Sequence, residues 1–235
     1  MDEEQALRRD VALANRIIER FGLSNAFGHV SARIPGTNTF YFPTRRSPGL
    51  ADENDLLVLD TDGNIVAGEG IPNSELWIHA RVYAARPEVG GIAHAHPPAC
   101  ICLTQIGQRL RVVHNQGGAF ADGVPEYERI GLIRTRELGE LLARQLGGGV
   151  AVMMRGHGIT TALPDVRAAT IAACLLEESA AMQLRMLSGA GGDAGKLRYY
   201  TPEEAERVRD QLSAKVVERA WEYYALAAEQ RPLGG

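Results

Sequence analysis

The amino-acid sequence predicts an α/β protein in which helices flank a mixed or mainly antiparallel sheet. Short strand-like segments follow one another without helices between residues 29 and 66, which is typical of antiparallel pairing. Elsewhere strands alternate with helical segments, so helices are expected to pack on the sheet. With 235 residues the chain is long for one domain and short for two, and no composition break marks a linker. We therefore predict a single domain spanning residues 1–235.

The first predicted element is an amphipathic helix over about the first twenty residues, where apolar residues such as Val11 and Ile17 recur at helical spacing. Gly22 suits the left-handed conformation that ends a helix. Strands are then expected at residues 29–33, 39–42, 56–59 and 64–66. Asp62 and Gly63 separate the last two strands, and an Asp-Gly pair favours a tight hairpin turn.

The rest of the chain is predicted to alternate between helices and two buried strands. The strands are expected at residues 91–96 and 150–154. Pro97 and Pro98 end the first of them and suit the first turn of the following helix. The predicted helices cover residues 74–85, 99–106, 137–145, 166–186 and 202–229.

Charge and composition exclude several classes of protein. The chain carries 25 basic and 29 acidic residues, whereas a nucleic-acid-binding protein usually presents a basic stripe. No apolar run approaches the roughly 18 residues that span a bilayer, and the acidic start is unlike a signal peptide. Three cysteines are too few for a disulfide framework, and Cys100 and Cys102 are expected to serve packing. We expect a cytoplasmic protein that binds neither nucleic acid nor membranes.

The clearest chemical signal is the sequence His94-Ala95-His96. Residues two apart on a strand point to the same face, so both imidazoles can bind one metal ion. Taken alone, this pair is explained equally well by two surface histidines at a strand end that bind no metal. His157 lies between two glycines after the second buried strand, where a turn histidine bonded to the backbone is the simpler explanation. Together, three histidines at the ends of two strands favour a divalent metal with an open position for substrate.

A carboxylate and two arginines complete the candidate residues. Glu75 lies at a predicted helix start, where the helix dipole alone explains a carboxylate, and an acid–base role beside a metal is the functional alternative. Arg45 and Arg46 lie in the loop after an aromatic strand. Arginine binds carboxylate or phosphate with paired hydrogen bonds, although a solvated turn is the simpler explanation here.

Five motifs in this order resemble the class II aldolase/adducin family. They are Gly28-His29-Val30-Ser31, Pro43-Thr44-Arg45, Asn73-Ser74-Glu75, His94-Ala95-His96 and Gly156-His157-Gly158. The resemblance covers about residues 5 to 225. It implies a single α/β/α domain with a central, mostly antiparallel sheet, assembled as a homotetramer with sites between neighbouring subunits. It also implies one divalent metal per subunit (Mn²⁺ or Zn²⁺) held by His94, His96 and His157, with Glu75 as the catalytic acid–base.

The departures from the family pattern concern the substrate. In the family's sugar-phosphate aldolases an Asn, a Gly and two Ser at these motifs hold a phosphate. Here His29, Arg45 and Asn73 replace three of them, next to Thr44 and Ser74. An arginine in place of a closely approaching glycine suits a carboxylate better than a phosphate. The chain is therefore nearest in kind to the family's decarboxylases of hydroxylated aromatic dicarboxylates, such as 3-hydroxy-2-methylpyridine-4,5-dicarboxylate or 3,4-dihydroxyphthalate.

The resemblance thus implies a lyase that removes carbon dioxide from a small-molecule carboxylate and holds the resulting carbanion as a metal-bound enolate. The substrate-binding residues are expected to be His29, Thr44, Arg45, Arg46, Asn73 and Ser74. Glu75 or a water would protonate the ring carbon. Three alternatives stay open: an aldolase or epimerase acting on a small hydroxy-carbonyl or sugar acid, a metal-dependent oxygenase, and a non-catalytic module like adducin. The retained histidines and Glu75 disfavour the last.

Overall fold

A computed structural model describes residues 2–229, which form one eight-stranded sheet flanked by seven α-helices. The strands are His29–Arg33 (β1), Thr39–Pro43 (β2), Leu56–Asp60 (β3), Ile65–Ala67 (β4), Gly91–Ala95 (β5), Glu126–Tyr127 (β6), Ala151–Met154 (β7) and Gly158–Leu163 (β8). The helices are Glu3–Arg20 (α1), Leu76–Ala85 (α2), Pro98–Gln105 (α3), Arg136–Leu146 (α4), Val166–Gly189 (α5), Pro202–Arg207 (α6) and Ala214–Glu229 (α7).

The sheet has the strand order β4-β3-β2-β1-β5-β8-β7-β6. Every neighbouring pair is antiparallel except β6 with β7, which is parallel. The β3–β4 hairpin turns at Gly63, whose φ of +88° is the left-handed conformation that the Asp-Gly pair predicts. The predicted fold class, a mostly antiparallel sheet flanked by helices, is confirmed.

Alternation along the strands divides the core between the two faces of the sheet. Phe40 and Phe42 of β2 pack on one face with Ile78 of α2 and Leu142 of α4. Tyr41, between them, contributes to the opposite face, where α1, α3, α5 and α7 pack. The layers are therefore helix, sheet and helix. None of the seven described helices has the length and apolar character needed to cross a membrane.

The structure departs from the sequence prediction in the last predicted helix. Instead of one helix over residues 202–229, α6 ends at Arg207 and α7 begins at Ala214. The Val208 carbonyl lies directly against Gly118, at a point where any Cβ would collide. This contact holds the end of α6 against the 3₁₀ turn Asn115–Phe120, and the chain starts a new helix after it.

Smaller differences concern two strands and a cysteine. Strands β6 and β8 lie in segments for which the sequence predicts no element. Of the two cysteines expected to serve packing, Cys100 is buried but Cys102 is exposed, because only one face of the short helix α3 contacts the core. The expectation for Cys102 is therefore wrong.

Strand β5 lies in the middle of the sheet and places the predicted site there. It pairs with β1 on one side, where His29 faces His94, and with β8 on the other, where Thr160 faces His94. His94 is completely buried. The end of β5, the start of α2 and the turn before β8 therefore meet at one point.

Candidate active site

His94 and His96 share one face at the end of β5, as residues two apart on a strand must. Nδ1–H of His94 donates to the Ile159 carbonyl at 2.9 Å, which leaves the Nε2 lone pair free. This Nε2 atom lies 3.1 Å from Nε2 of His96. Burial, aided by the neighbouring histidines, holds the pKa of His94 well below its usual value and lowers that of His96 to about 4. Both rings are thus in the neutral form that binds metals.

His157 reaches the same point from the turn between β7 and β8. Gly156 has a φ of +63°, and a Cβ on Gly158 would collide with the Ala95 carbonyl, so both glycines are required for this turn. The His157 ring stacks on that of His96 with centroids 5.2 Å apart. Both of its ring nitrogens are buried without a hydrogen-bond partner in the described structure.

Glu75 directs its carboxylate towards the histidines instead of capping α2. Its side chain makes no capping hydrogen bond to the described backbone of α2, so capping does not explain its position. Oε1 accepts a hydrogen bond from the Ile133 amide at 2.8 Å. Oε2 lies 3.6 Å from Nε2 of His157 and 3.9 Å from Nε2 of His94. Burial alone raises the pKa of Glu75, but His157, the Ile133 amide and His29 outweigh it and lower the pKa, so the group is an ionised carboxylate.

These four side chains fit a divalent metal ion. One ligand atom from each of Glu75, His94, His96 and His157 lies within 4.8 Å of the others. Three imidazole nitrogens and one carboxylate oxygen form a donor set typical of zinc and also suited to manganese or iron. The unpartnered nitrogens of His157 support the fit, because buried polar atoms are rarely left unpaired.

A cavity of about 650 Å³ opens beside this cluster. Its walls include most of the predicted site residues: His29, Arg45, Asn73, Ser74, Glu75, His96 and His157. His29 is neutral, because burial and the adjacent His79 hold its pKa well below the usual value. Asn73 Oδ1 accepts the Glu75 amide at 2.9 Å and so positions the start of α2.

Thr44 and Arg46 do not line this cavity. The Arg46 guanidinium bonds Asp55 Oδ2 at 2.8 Å, and both residues line a separate, much smaller cavity behind His29 and Asn73. Thr44 forms an isolated bridge with Pro72. The structure therefore brings Arg45, but neither of its predicted neighbours, to the cavity wall.

The cavity also has four side chains that the sequence did not single out. Arg134 contributes a second guanidinium, and Phe27, Ile130 and Leu132 form an apolar rim. The rim side chains are 69%, 73% and 42% exposed, respectively. All four residues lie in loops without periodicity. Three exposed large apolar side chains near a candidate site are the one signal that would have found the rim.

The chain is similar to one protein family and to several known enzymes. The family described as "Class II Aldolase and Adducin N-terminal domain" matches residues 9–184. A 3,4-dihydroxyphthalate decarboxylase from Arthrobacter keyseri is 32% identical over 203 residues, covering 78% of this chain and 80% of that protein. An L-fuculose phosphate aldolase from Methanocaldococcus jannaschii is 26% identical, covering 78% and 96%.

Among solved structures, an aldolase II superfamily protein from Pseudomonas syringae has a TM-score of 0.85 at 24% identity, covering 98% of this chain and 94% of that chain. This likeness shows the fold. Decarboxylases and aldolases both act on carbon–carbon bonds, which confirms the expectation of a carbon–carbon lyase. The family match over most of the chain and the decarboxylase relative lead to one conclusion: the chain belongs to the class II aldolase/adducin family.

Proposed function

We propose that this chain is a divalent-metal-dependent decarboxylase of a hydroxylated aromatic or pyridine dicarboxylate. The observation that carries the proposal is one cavity that combines the histidine–glutamate cluster, arginines without acidic partners and an apolar rim. The Arthrobacter keyseri relative, named for 3,4-dihydroxyphthalate, supports this substrate class.

The charge on the cavity wall favours a carboxylate ligand. Within residues 2–229, no carboxylate lies within ion-pair distance of Arg45 or Arg134, whereas Arg46 on the same loop is paired with Asp55. Two unpaired guanidinium groups can each bind a carboxylate through parallel hydrogen bonds. We assign the carboxylate that remains on the ring to Arg45, with Arg134 as a second contact.

The rim favours a flat, apolar substrate body. Phe27, Ile130 and Leu132 present large apolar side chains at the cavity mouth. Contact between an aromatic or pyridine ring and such a surface makes binding more favourable, because apolar surface is removed from water. The hydroxyl groups of a sugar would lose hydration there. The rim therefore complements the arginines in selecting a charged aromatic compound.

In the reaction, the bond between the ring carbon and the departing carboxylate breaks, carbon dioxide leaves, and the ring carbon receives a proton. A divalent metal held by His94, His96 and His157 would supply Lewis acidity towards an oxygen next to the reacting carbon. Glu75, an ionised carboxylate beside the histidines, accepts the ring hydroxyl proton and returns it to the ring carbon. Ser74 and Asn73 line the wall beside Glu75 and orient the ring.

An aldolase acting on a small hydroxy-carbonyl or sugar-acid substrate is the second candidate. The relative named L-fuculose phosphate aldolase supports it, since this chain aligns with 96% of that protein. The Arg45 side chain occupies the place where the aldolase motif has a glycine, so the phosphorylated substrate is disfavoured.

A carbon dioxide release assay with added Mn²⁺ or Zn²⁺ tests the proposal. We expect release from 3,4-dihydroxyphthalate or 3-hydroxy-2-methylpyridine-4,5-dicarboxylate and no cleavage of fuculose 1-phosphate. Arg45→Gly should raise KM about 10- to 100-fold, the size of one or two charge-assisted hydrogen bonds. Arg46→Gly is the matched control and should change KM less than about fivefold, because Arg46 does not line the cavity and its exposed ion pair with Asp55 contributes roughly 0–1 kcal/mol.

Cleavage of the sugar phosphate without carbon dioxide release would contradict the decarboxylase and restore the aldolase. An equal KM for wild type and Arg45→Gly on a dicarboxylate would show that the arginine does not bind the substrate.

A further inference from the structure

A chain of four buried polar side chains runs from the cavity wall into the layer between the sheet and α2. His29 Nδ1 lies 2.8 Å from His79 Nε2. His79 Nδ1 lies 2.6 Å from Ser31 Oγ, which in turn lies 2.9 Å from the Tyr83 hydroxyl. All four residues are at most 2% exposed. The spacing of β1 and α2 places them in a line, since His29 and Ser31 share one face of the strand and His79 and Tyr83 one face of the helix.

The direction of these hydrogen bonds follows from Tyr83, at the end of the chain away from the cavity. Burial raises the pKa of the Tyr83 hydroxyl, so it keeps its proton. The one acceptor within hydrogen-bond distance of that hydroxyl in the described structure is Ser31 Oγ. Tyr83 therefore donates to Ser31, because the opposite direction would leave a buried hydroxyl proton without an acceptor.

The remaining bonds then have a fixed direction. Ser31 accepts from Tyr83 and donates its own proton to His79 Nδ1. Burial lowers the pKa of His79 to about 3, so its ring is neutral and carries its one proton on Nε2. That proton is donated to His29 Nδ1. His29 must therefore carry its own proton on Nε2, the ring nitrogen with no protein partner in residues 2–229.

We propose that Tyr83, Ser31 and His79 are positioning residues that hold His29 in its Nε2–H form, so that it donates a hydrogen bond to an anionic substrate oxygen at the cavity wall. The tautomer follows from the contacts alone, while the anionic partner rests on the proposed function. A neutral donor suits this place, because the His29 ring centroid lies 5.0 Å from that of His94. A cation there would repel a metal ion bound to the cluster.

The tautomer of His29 is measurable without any substrate. In full-length protein labelled with ¹⁵N-histidine, the imidazole nitrogen shifts distinguish Nδ1–H from Nε2–H. We expect Nε2–H for His29 in the wild type, both with and without Zn²⁺. Ser31→Ala removes the proton that His79 Nδ1 accepts, so the His79 proton can lie on either ring nitrogen and both tautomers of His29 should be populated. Nδ1–H in the wild type, or an unchanged tautomer in Ser31→Ala, would overturn the relay.

Affinity for phthalate, an unreactive dicarboxylate, tests the role of the donor. By calorimetry on the Zn²⁺-loaded protein, we expect Ser31→Ala to weaken phthalate binding about three- to tenfold, as one neutral hydrogen bond would. Ser179→Ala is the matched control, because that buried hydroxyl lies 3.0 Å from His114 Nε2, outside the cluster. The control should bind phthalate like the wild type.

The two proposals fail in different ways. Equal binding by wild type and Ser31→Ala overturns the donor role of His29 and leaves the decarboxylase standing. Absence of phthalate binding by the wild type contradicts the substrate class itself, whereas the ¹⁵N measurement still decides the relay.

Discussion

At the scale of single residues, His157 carries the strongest indication of a bound ligand. Its two ring nitrogens are buried and have no hydrogen-bond partner in the part of the chain that the structure describes, while the three other histidines around the site each have one. An unpaired buried imidazole nitrogen costs about 1–3 kcal/mol. A metal ion would remove that cost and account for the two glycines that hold the ring in place.

We therefore expect His157→Ala to lose its metal. After dialysis against buffer without chelator, metal analysis by plasma mass spectrometry should find close to one divalent ion per wild-type chain and less than about a tenth of that in the variant. His114→Ala is the control, since His114 bonds Ser179 at 3.0 Å outside the cluster. Equal metal content in His157→Ala and wild type would exclude His157 as a ligand.

Glu75→Gln should separate catalysis from metal binding. The amide keeps the shape of the side chain but can no longer take up a proton, so kcat should fall about 10²- to 10⁴-fold. The three histidines remain, so the metal content should stay near that of the wild type. Parallel measurement of carbon dioxide release and metal content checks this. Loss of the metal together with activity would show that the main role of Glu75 is to bind the metal.

Sequence reasoning found the residues of the cluster but not all of the cavity wall. His94, His96, His157 and Glu75 stand in short motifs whose spacing is visible in the chain. Arg134 and Ile130 lie in a loop that contacts the site through the hydrogen bond from the Ile133 amide to Glu75. Such a contact between distant segments has no local signal in the sequence.

At the scale of elements, the absence of a local signal also explains why the sequence does not predict β8. β8 reads Gly-Ile-Thr-Thr-Ala-Leu and is buried along its whole length, so it has no polar–apolar alternation. Its threonines are satisfied inside the protein: Thr161 Oγ1 donates to the Ala169 carbonyl at 2.7 Å. β2 and β3, in contrast, carry aromatic and β-branched runs between clear turn signals and were predicted.

Helix α5 supports the segment that follows the histidines. Glu177 accepts hydrogen bonds from the Ala99 amide at 2.9 Å and the Cys100 amide at 3.0 Å, in the first turn of α3. Glu177→Gln should lower the free energy of unfolding by about 1–3 kcal/mol, because the amide group cannot accept both bonds. The exposed Glu178→Gln is the matched control, and thermal unfolding measures both.

The pKa of Glu177 predicts that the effect of Glu177→Gln on stability depends on pH. Burial raises the pKa of Glu177 more than its amide and Cys100 hydrogen bonds lower it. A carboxyl whose pKa is higher in the folded state loses stability as pH rises above its unfolded value. The stability advantage of wild type over Glu177→Gln should thus be larger near about pH 4 than near about pH 7. A constant difference across this range would contradict the raised pKa.

At the scale of the whole molecule, the cavity is open towards solvent through its apolar rim. Phe27 and Ile130 are more than two-thirds exposed, an unusual state for large apolar side chains beside a pocket. We predict a homotetramer in which a neighbouring subunit covers the part of the rim that the substrate leaves exposed. Light scattering during size-exclusion chromatography should give four times the 25.5 kDa chain mass. A monomer mass at micromolar concentration would contradict the assembly.

The central position of β5 also has a consequence for how the protein folds. His94 pairs with His29 far before it and Thr160 far after it, and Glu75 arrives from a separate helix. Such non-local contacts form late in folding, because bringing distant parts of the chain together costs conformational entropy before the contact stabilises the protein. Helices that form early contain no complete ligand set. We therefore expect tight metal uptake by a refolding chain to coincide with the pairing of β5 and β8, which brings His157 to the two other histidines.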